Sequence, residues 1–205
     1  MRVCVDFRDL NRACSKDDFP IPITEMVVDA TTSYGALLFM DGSSGYNQII
    51  MDTQDAYDTA FRTLKGNFYY TVMTFGLKNA SPTYQRAMTV VLDGLIHMIV
   101  DCYIDGLVVK MKDQKNHQDD LQIVFNRLQK YQLKINLLKC AFVVQSGVFL
   151  GFIVHNRGIE IEPKKIKAIL KIPSPQNLSE LKSLQGHLAY IQRFISNMSG
   201  RIAVH

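Results

Sequence analysis

Two short apolar segments around one acidic tetrapeptide constrain the fold of this chain more than any other feature. Met98-Ile99-Val100 and Leu107-Val108-Val109 flank Tyr103-Ile104-Asp105-Gly106. Asp-Gly between two apolar strands is a strong signal for a tight β-hairpin. The sequence therefore predicts a buried antiparallel hairpin that carries Asp105 at its tip.

The rest of the chain alternates between strand and helix patterns. The run Ala36-Leu37-Leu38-Phe39-Met40 has strand length and ends at Asp41. Three helices are expected, from Ser81-Pro82, from near Asn116, and from the capping box Asn177 to Glu180. Further strands are expected over 2–8, in a hairpin turning at Lys65-Gly66-Asn67, and in a hairpin around Ser146-Gly147. This order predicts an α+β domain with an antiparallel sheet.

Composition excludes several classes of protein. The chain has 205 residues, 47% of them apolar and 20% charged, which suits a packed core rather than disorder. Its longest apolar runs are interrupted too early for a bilayer span of about 20 residues. Asp6 comes too early for a signal peptide, so we expect a cytoplasmic or nuclear protein that is not secreted. The four cysteines lie too far apart for a zinc knuckle and are expected to be reduced, mostly buried thiols.

Charge is distributed unevenly along the chain. Residues 1–60 hold 4 basic and 10 acidic side chains, a net charge of −6, whereas residues 61–205 hold 19 and 9, a net charge of +10. This asymmetry would suit carboxylates gathered for metal and lysines gathered for phosphate, but on charge alone an ordinary solvated surface is the simpler explanation. Lysines that could follow a phosphate backbone are Lys110, Lys112, Lys115, Lys130, Lys134, Lys164, Lys165, Lys167 and Lys171.

Asp41 and Asp105 stand out by their positions at the ends of apolar strands. In an antiparallel sheet such strand ends can lie side by side, and two carboxylates there repel each other unless a cation neutralises them. Oxygen ligands favour Mg²⁺ over zinc. The alternative is that both are ordinary turn aspartates.

Five motifs in a fixed order carry a family resemblance over nearly the whole chain. They are VCVDFRDLN (3–11), FMDGSSGYNQI (39–49), FGLKNA (75–80), YID (103–105) and FLGF (149–152). This set resembles the reverse transcriptase, an RNA-directed DNA polymerase, of plant gypsy-type LTR retrotransposon polyproteins. The resemblance implies a right-hand polymerase with a ferredoxin-like antiparallel palm. Its parts would be partial fingers at 1–35, a palm at 36–155 with an inserted fingers segment around 52–75, and a connection with the first thumb helix at 156–205.

The resemblance also implies the site residues and their roles. Asp41 and Asp105 match the catalytic metal-binding acids, and the Gly42 carbonyl matches a backbone ligand of two Mg²⁺ or Mn²⁺ ions. Lys139 matches the lysine that protonates the departing pyrophosphate. The nucleotide-binding positions are Arg2, Tyr46, Phe75 and Gly76, with Tyr46 as the gate against a ribose 2′-hydroxyl in the same cleft. Phe149, Leu150 and Gly151 match the primer grip.

Implied partners are an RNA or DNA template with primer, deoxynucleoside triphosphates, and RNase H and integrase domains of the same polyprotein. The chain departs from the family at Gly106, where a second aspartate is usual, and it opens inside the fingers motif. We therefore expect template-directed nucleotidyl transfer that is impaired by Gly106 and by the shortened fingers. The alternative is a non-catalytic retrotransposon remnant that at most binds nucleic acid through its basic surface.

Overall fold

The protein is described by a computed structural model that covers residues 3–42, 44–111 and 117–197. Its helices and strands alternate along the chain, with short 3₁₀ turns at Gly45–Gln48, Leu137–Lys139 and Gln192–Phe194. The helices are α1 (Arg8–Ala13), α2 (Thr24–Asp29), α3 (Thr53–Asp58), α4 (Ala80–Val91), α5 (His117–Lys130), α6 (Pro163–Leu170) and α7 (Leu178–Ile191). The strands are β1 (Ala36–Asp41), β2 (Phe61–Thr63), β3 (Gly66–Phe68), β4 (Val100–Tyr103), β5 (Gly106–Met111), β6 (Ala141–Val144), β7 (Ser146–Phe149), β8 (Phe152–His155) and β9 (Gly158–Ile161).

A four-stranded antiparallel sheet of order β4-β5-β1-β6 forms the centre of the molecule. The side chains of strand β1 pack alternately into two hydrophobic cores, because successive side chains of a strand point to opposite faces of the sheet. Leu38 and Met40 belong to the core under α4 and α5, while Leu37 and Phe39 belong to the core shared with α2 and the β7–β8 hairpin. Both faces of the strand are therefore buried, which explains its continuous apolar sequence.

The predicted elements are largely confirmed, but three predicted turns are displaced. Thr63 pairs with Gly66, so the β2–β3 turn is Leu64-Lys65 rather than Lys65-Gly66-Asn67. Tyr103 pairs with Gly106, so the β4–β5 turn is Ile104-Asp105 rather than Asp105-Gly106. The last predicted hairpin does not turn at Ser146-Gly147: β6 pairs with β1, and β7 pairs with β8 across the turn Leu150-Gly151.

Four further expectations differ from the structure. Residues 3–7 form no strand, and α1, α2, α3 and α6 were not expected from the sequence. The first expected helix begins at Ala80, with Asn79 as its N-cap residue. Cys102 is buried and Cys140 is half-buried, but Cys4 and Cys14 are exposed, so the thiols are not mostly buried. Among the described residues, no helix is long and apolar enough to cross a membrane.

Candidate active site

Asp41 and Asp105 meet at one end of the central sheet. Asp41 ends β1 and pairs with Gly106, and the backbone N–H of Gly42 donates to the carbonyl of Asp105 at 3.0 Å. Both acids line a cavity of about 290 Å³. The predicted proximity of the two acids is confirmed, because antiparallel pairing of β1 with β5 brings the end of one strand beside the start of the other.

The surroundings of Asp105 disfavour its negative charge. Burial raises the pKa of the Asp105 carboxyl, and the nearby charge of Asp41 raises that pKa further, while Lys139 lowers it. The carboxylate lies against Gly45, where a Cβ atom would be 3.6 Å from Asp105 Oδ2. A cation beside Asp105 would therefore relieve a repulsion that is built into the site.

Lys139 supplies such a cation from a distant part of the chain. Its Nζ lies 2.5 Å from Asp41 Oδ2, and only a quarter of the Asp41 side chain is exposed. The N–H of Asn136 donates to the carbonyl of Asp41 at 2.8 Å, and the N–H of Lys139 donates to the carbonyl of Asn136 at 2.9 Å. These bonds fix the 3₁₀ turn that carries Lys139 to the end of β1.

Tyr46 lies beside this cavity rather than in its lining. Its hydroxyl is 2.8 Å from Ser81 Oγ, and its ring packs edge-on against Phe75 and Tyr84, with centroids 5.0 and 5.7 Å apart. Tyr84 is a site residue that the sequence motifs did not identify. Burial, followed by the charges of Asp105 and Asp41, raises the pKa of Tyr84 to about 12, so its hydroxyl stays protonated.

The side chain of Asn11 holds the loop that contains Phe75 and Gly76. Asn11 Nδ2 donates to the carbonyl of Gly76 at 2.7 Å, and Asn11 Oδ1 accepts the N–H of Lys78 at 2.7 Å. Lys78 Nζ in turn donates to the carbonyl of Cys14 at 2.8 Å. An exposed loop with Gly76 at φ +93° is thereby fastened to α1. Arg2, which the resemblance places near this loop, lies outside the described residues.

A buried glutamine supports the turn between β4 and β5. Ile104 has a φ of +53°, which is costly for a β-branched residue, and its N–H donates to Gln85 Oε1 at 2.7 Å. Gln85 is only 2% exposed. A glutamine on the buried stripe of a predicted helix is the sequence signal that could have identified this contact.

The predicted primer-grip segment reaches the same cavity from the β7–β8 hairpin. Phe149 and Leu150 line the cavity together with the two acids, whereas Gly151 lies in the turn at φ +86°. A Cβ atom on Gly106 would lie 3.3 Å from Phe149 Cε2. The structure thus brings Asp41, Asp105 and Lys139 together with the tip of this hairpin.

A known protein family matches most of the chain. The model of the family described as reverse transcriptase (RNA-dependent DNA polymerase) matches residues 1–154. The chain belongs to this reverse transcriptase family.

Similar proteins include Pol polyproteins of LTR transposons. The chain is 34% identical to the Retrovirus-related Pol polyprotein from transposon 297 of Drosophila melanogaster, covering 96% of this chain and 18% of the relative. It is 30% identical to the corresponding polyprotein from transposon gypsy of the same fly, covering 97% of the chain and 19% of that polyprotein. The chain thus spans about a fifth of the length of these relatives. The predicted link to plant elements stays a prediction.

A solved structure of the foamy viral protease-reverse transcriptase in complex with double-stranded DNA shares the fold. The TM-score is 0.89 at 21% identity, with 98% of this chain and 35% of that chain covered. The prediction of an α+β polymerase palm is therefore confirmed. The roles of the individual site residues and the subdomain boundaries stay predictions.

Proposed function

We propose that this reverse transcriptase domain adds deoxynucleotides to a primer under the direction of a template. The observation that carries the proposal is the meeting of Asp41, Asp105 and Lys139 in a cavity whose wall includes Phe149 and Leu150. A metal-dependent nucleotidyl transfer needs an anionic site, a proton donor and a surface for the primer end at one place. These three features share a single cavity of this domain.

The residues of the cavity fit a divalent cation. Asp41 and Asp105 offer carboxylate oxygens, and Gly42 offers a carbonyl that accepts a long hydrogen bond of 3.5 Å from the N–H of Gly45. Hard oxygen donors of this kind suit Mg²⁺ or Mn²⁺. The chemistry that such a cation supplies is activation of the primer 3′-hydroxyl and neutralisation of the departing pyrophosphate.

The other proposed roles come from the family resemblance, and the positions of the described side chains support those of Lys139, Tyr46, Phe75 and Gly76. Attack of the primer oxygen on the α-phosphorus breaks the bond to pyrophosphate, and Lys139 delivers a proton to that leaving group. Tyr46 limits the space beside the sugar, because its ring is held between Phe75 and Tyr84. The backbone of Phe75 and Gly76 lies along the incoming nucleotide, and Arg2 holds the triphosphate. In this proposal residues 1–35 form part of the fingers, and residues 36–155 form the palm, with an inserted fingers segment around 52–75. Residues 156–205 form the connection and the first thumb helix.

The proposed nucleic-acid surface is the basic part of the chain. Residues 61–205 carry a net charge of +10. Lys110 does not contribute to this surface, because it is buried and paired with Asp101 at 2.7 Å. Lys112 and Lys115 lie outside the described residues. The remaining candidates, Lys130, Lys134, Lys164, Lys165, Lys167 and Lys171, are exposed or half-buried.

Primer extension on an RNA template with Mg²⁺ or Mn²⁺ tests the catalytic proposal. Asp41→Asn and Asp105→Asn should each abolish incorporation, whereas Asp93→Asn, at an exposed position after α4, should not. Thermal unfolding of each variant separates loss of chemistry from loss of fold. Incorporation that survives Asp105→Asn in a folded protein would contradict the proposed site.

A second candidate is nucleic-acid binding without catalysis. Over residues 3–42, 44–111 and 117–197, no group of three or more His, Cys, Asp or Glu side chains is arranged to hold a metal ion. The two carboxylates of Asp41 and Asp105 neutralise less of the charge of bound cations than three carboxylates would. Incomplete occupancy of the metal site can therefore limit the reaction. Duplex affinity that falls steeply with salt, together with no extension in either metal, would favour this candidate.

A further inference from the structure

Helix α7 lies beside α6 and reaches the β7–β8 hairpin near its C-terminal end. Within α7, which is described throughout, no side chain is buried, and Leu178 and Leu181 near its start are 66% and 40% exposed. Contacts with the domain converge further along, where Tyr190 packs on the β7–β8 hairpin and Arg193 pairs with Asp29 at 2.7 Å. The seating of α7 therefore depends on a small number of side chains.

Tyr190 covers the turn of the β7–β8 hairpin. Its ring stacks on Phe152, with centroids 4.8 Å apart and planes 18° from parallel. Its hydroxyl donates a long hydrogen bond of 3.5 Å to the carbonyl of Leu150. A Cβ atom on Gly151 would lie 2.3 Å from this hydroxyl, so Tyr190 and the turn fit together only because residue 151 is glycine.

The turn beneath Tyr190 is strained and also forms part of the proposed active site. Leu150 and Gly151 have φ angles of +51° and +86°, the pair of positive values that a type I′ turn requires. A leucine persists in that conformation only where surrounding contacts hold it. Phe149 and Leu150 line the cavity of Asp41 and Asp105, so any relaxation of the turn changes the wall of that cavity.

We propose that Tyr190 is a positioning residue that holds the Leu150-Gly151 turn against the acid cavity and thereby couples the seating of α7 to the placement of the primer end. The first part of this inference depends only on the contacts of Tyr190. The second part rests on the proposed function, since it takes the hairpin as the surface that meets the primer. Tyr190 does not touch the reacting atoms in this view and acts through Leu150.

Hydrogen exchange measured by mass spectrometry on the whole chain tests the positioning role without requiring activity. Tyr190→Leu removes the stack on Phe152, Tyr190→Phe removes only the long hydroxyl contact, and Gln185→Ala, at an exposed position of the same helix, is the control. Because an aromatic stack shifts an equilibrium by up to about tenfold, exchange in peptides covering 147–154 should rise by up to about tenfold in Tyr190→Leu. It should rise less in Tyr190→Phe and not at all in Gln185→Ala, and peptides covering 100–111 should be unchanged in all three.

Titration of a primer–template duplex tests the coupling to the primer. Tyr190→Leu should weaken duplex binding severalfold and, where incorporation is measurable, raise KM for primer–template while KM for the nucleotide stays constant. Exchange over 147–154 that equals the parent value in Tyr190→Leu would overturn the positioning role. Raised exchange with unchanged duplex affinity would support the positioning role and contradict the primer assignment of the hairpin, which is a failure of the proposed function instead.

A double-mutant cycle gives an independent check on the contact. Gly151→Ala should lower Tm, both because φ is +86° and because the new methyl group meets the Tyr190 hydroxyl. Combined with Tyr190→Phe, part of this loss should be recovered, because the steric conflict is relieved while the backbone strain remains. Strictly additive changes in Tm would show that the two groups do not meet in solution.

Discussion

Substitution of Gly106 by aspartate adds an acidic residue beside Asp105, at the position where the family resemblance predicts one. Gly106 begins β5 directly opposite Asp41, and its φ lies outside the left-handed region that favours glycine. The backbone therefore accepts a side chain without strain. The nearest obstacle is Phe149 Cε2, which lies 3.3 Å from the position of the new Cβ and must move by a few tenths of an ångström.

Two opposing effects set the expected change in stability. Crowding against Phe149 costs about 1 kcal/mol, the lower end of the range for overpacking. A third carboxylate opposite Asp41 adds up to about 1 kcal/mol of repulsion in the absence of metal. The free energy of unfolding without metal should therefore fall by about 1–2 kcal/mol, or roughly 2–8 °C in Tm for a domain of this size. A divalent ion at a free concentration about a hundredfold above its Kd should raise the free energy of unfolding by about 2.7 kcal/mol.

Thermal unfolding with and without Mn²⁺ or Mg²⁺ measures both effects, and Gly106→Asn is the matched control. Asparagine meets Phe149 in the same way but carries no charge. We expect Gly106→Asp to have the lowest Tm without metal and the largest rise in Tm with metal, whereas Gly106→Asn should respond to metal like the parent. Isothermal titration should give at least tenfold tighter Mn²⁺ binding for Gly106→Asp, and primer extension should improve with it.

The same metal-dependent rise in Tm in all three proteins would contradict the proposed role of the charge at residue 106. That result in equally folded proteins would mean that residue 106 does not face the cation. A loss of folding in Gly106→Asn would instead show that the contact with Phe149 dominates, and the crowding estimate would be too small.

Three other substitutions test separate parts of the structure. Asp105→Asn should raise Tm at neutral pH without metal, because the pKa of Asp105 is raised in the folded protein and stability falls as pH rises through that pKa. The gain in Tm should disappear below pH 3.8, the ordinary pKa of the group. A gain in Tm that does not depend on pH in thermal scans would contradict this prediction. Gly147→Ala should destabilise the domain by about 1–3 kcal/mol in urea unfolding, since its Cβ would lie 2.2 Å from the buried ring of Phe39. Adding Phe39→Leu should recover part of this loss of stability. An unchanged urea midpoint in Gly147→Ala would contradict the packing. Asn11→Asp keeps the acceptor for the N–H of Lys78 but loses the donor to the carbonyl of Gly76. Hydrogen exchange over 74–79 and the KM for the nucleotide should therefore rise, while primer–template affinity stays constant. Unchanged exchange over 74–79 would show that Asn11 does not hold this loop.

Features that depend on neighbours along the chain were predictable from the sequence. The apolar run that ends at Asp41 is β1, because a strand buried on both faces needs apolar residues at every position. The final helix begins as predicted, with Asn177 Oδ1 accepting the N–H of Glu180 at 2.9 Å. The hairpin around Asp105 was also predictable, since a tight turn between apolar strands leaves few alternatives.

Features that depend on contacts between distant segments were decided by the tertiary structure. The β4–β5 turn is shifted by one residue because pairing of β5 with β1 fixes which side chains are buried, and Gln85 then stabilises the unusual φ of Ile104. Burial of Lys110 beside Asp101 and exposure of Cys4 and Cys14 are likewise invisible in local patterns.

The candidate site combines features that were predictable from the sequence with features that only the tertiary structure decided. The sequence by itself determined that two acids end buried-type strands, and the order of its motifs pointed to a polymerase. The ion pair between Lys139 and Asp41 joins residues 98 positions apart, and the bonds from Asn11 to the loop that contains Phe75 and Gly76 span 65 to 67 positions. Contacts at such separations leave no periodic trace in a single sequence, because they arise only when the packed sheet brings the ends of its strands and loops together.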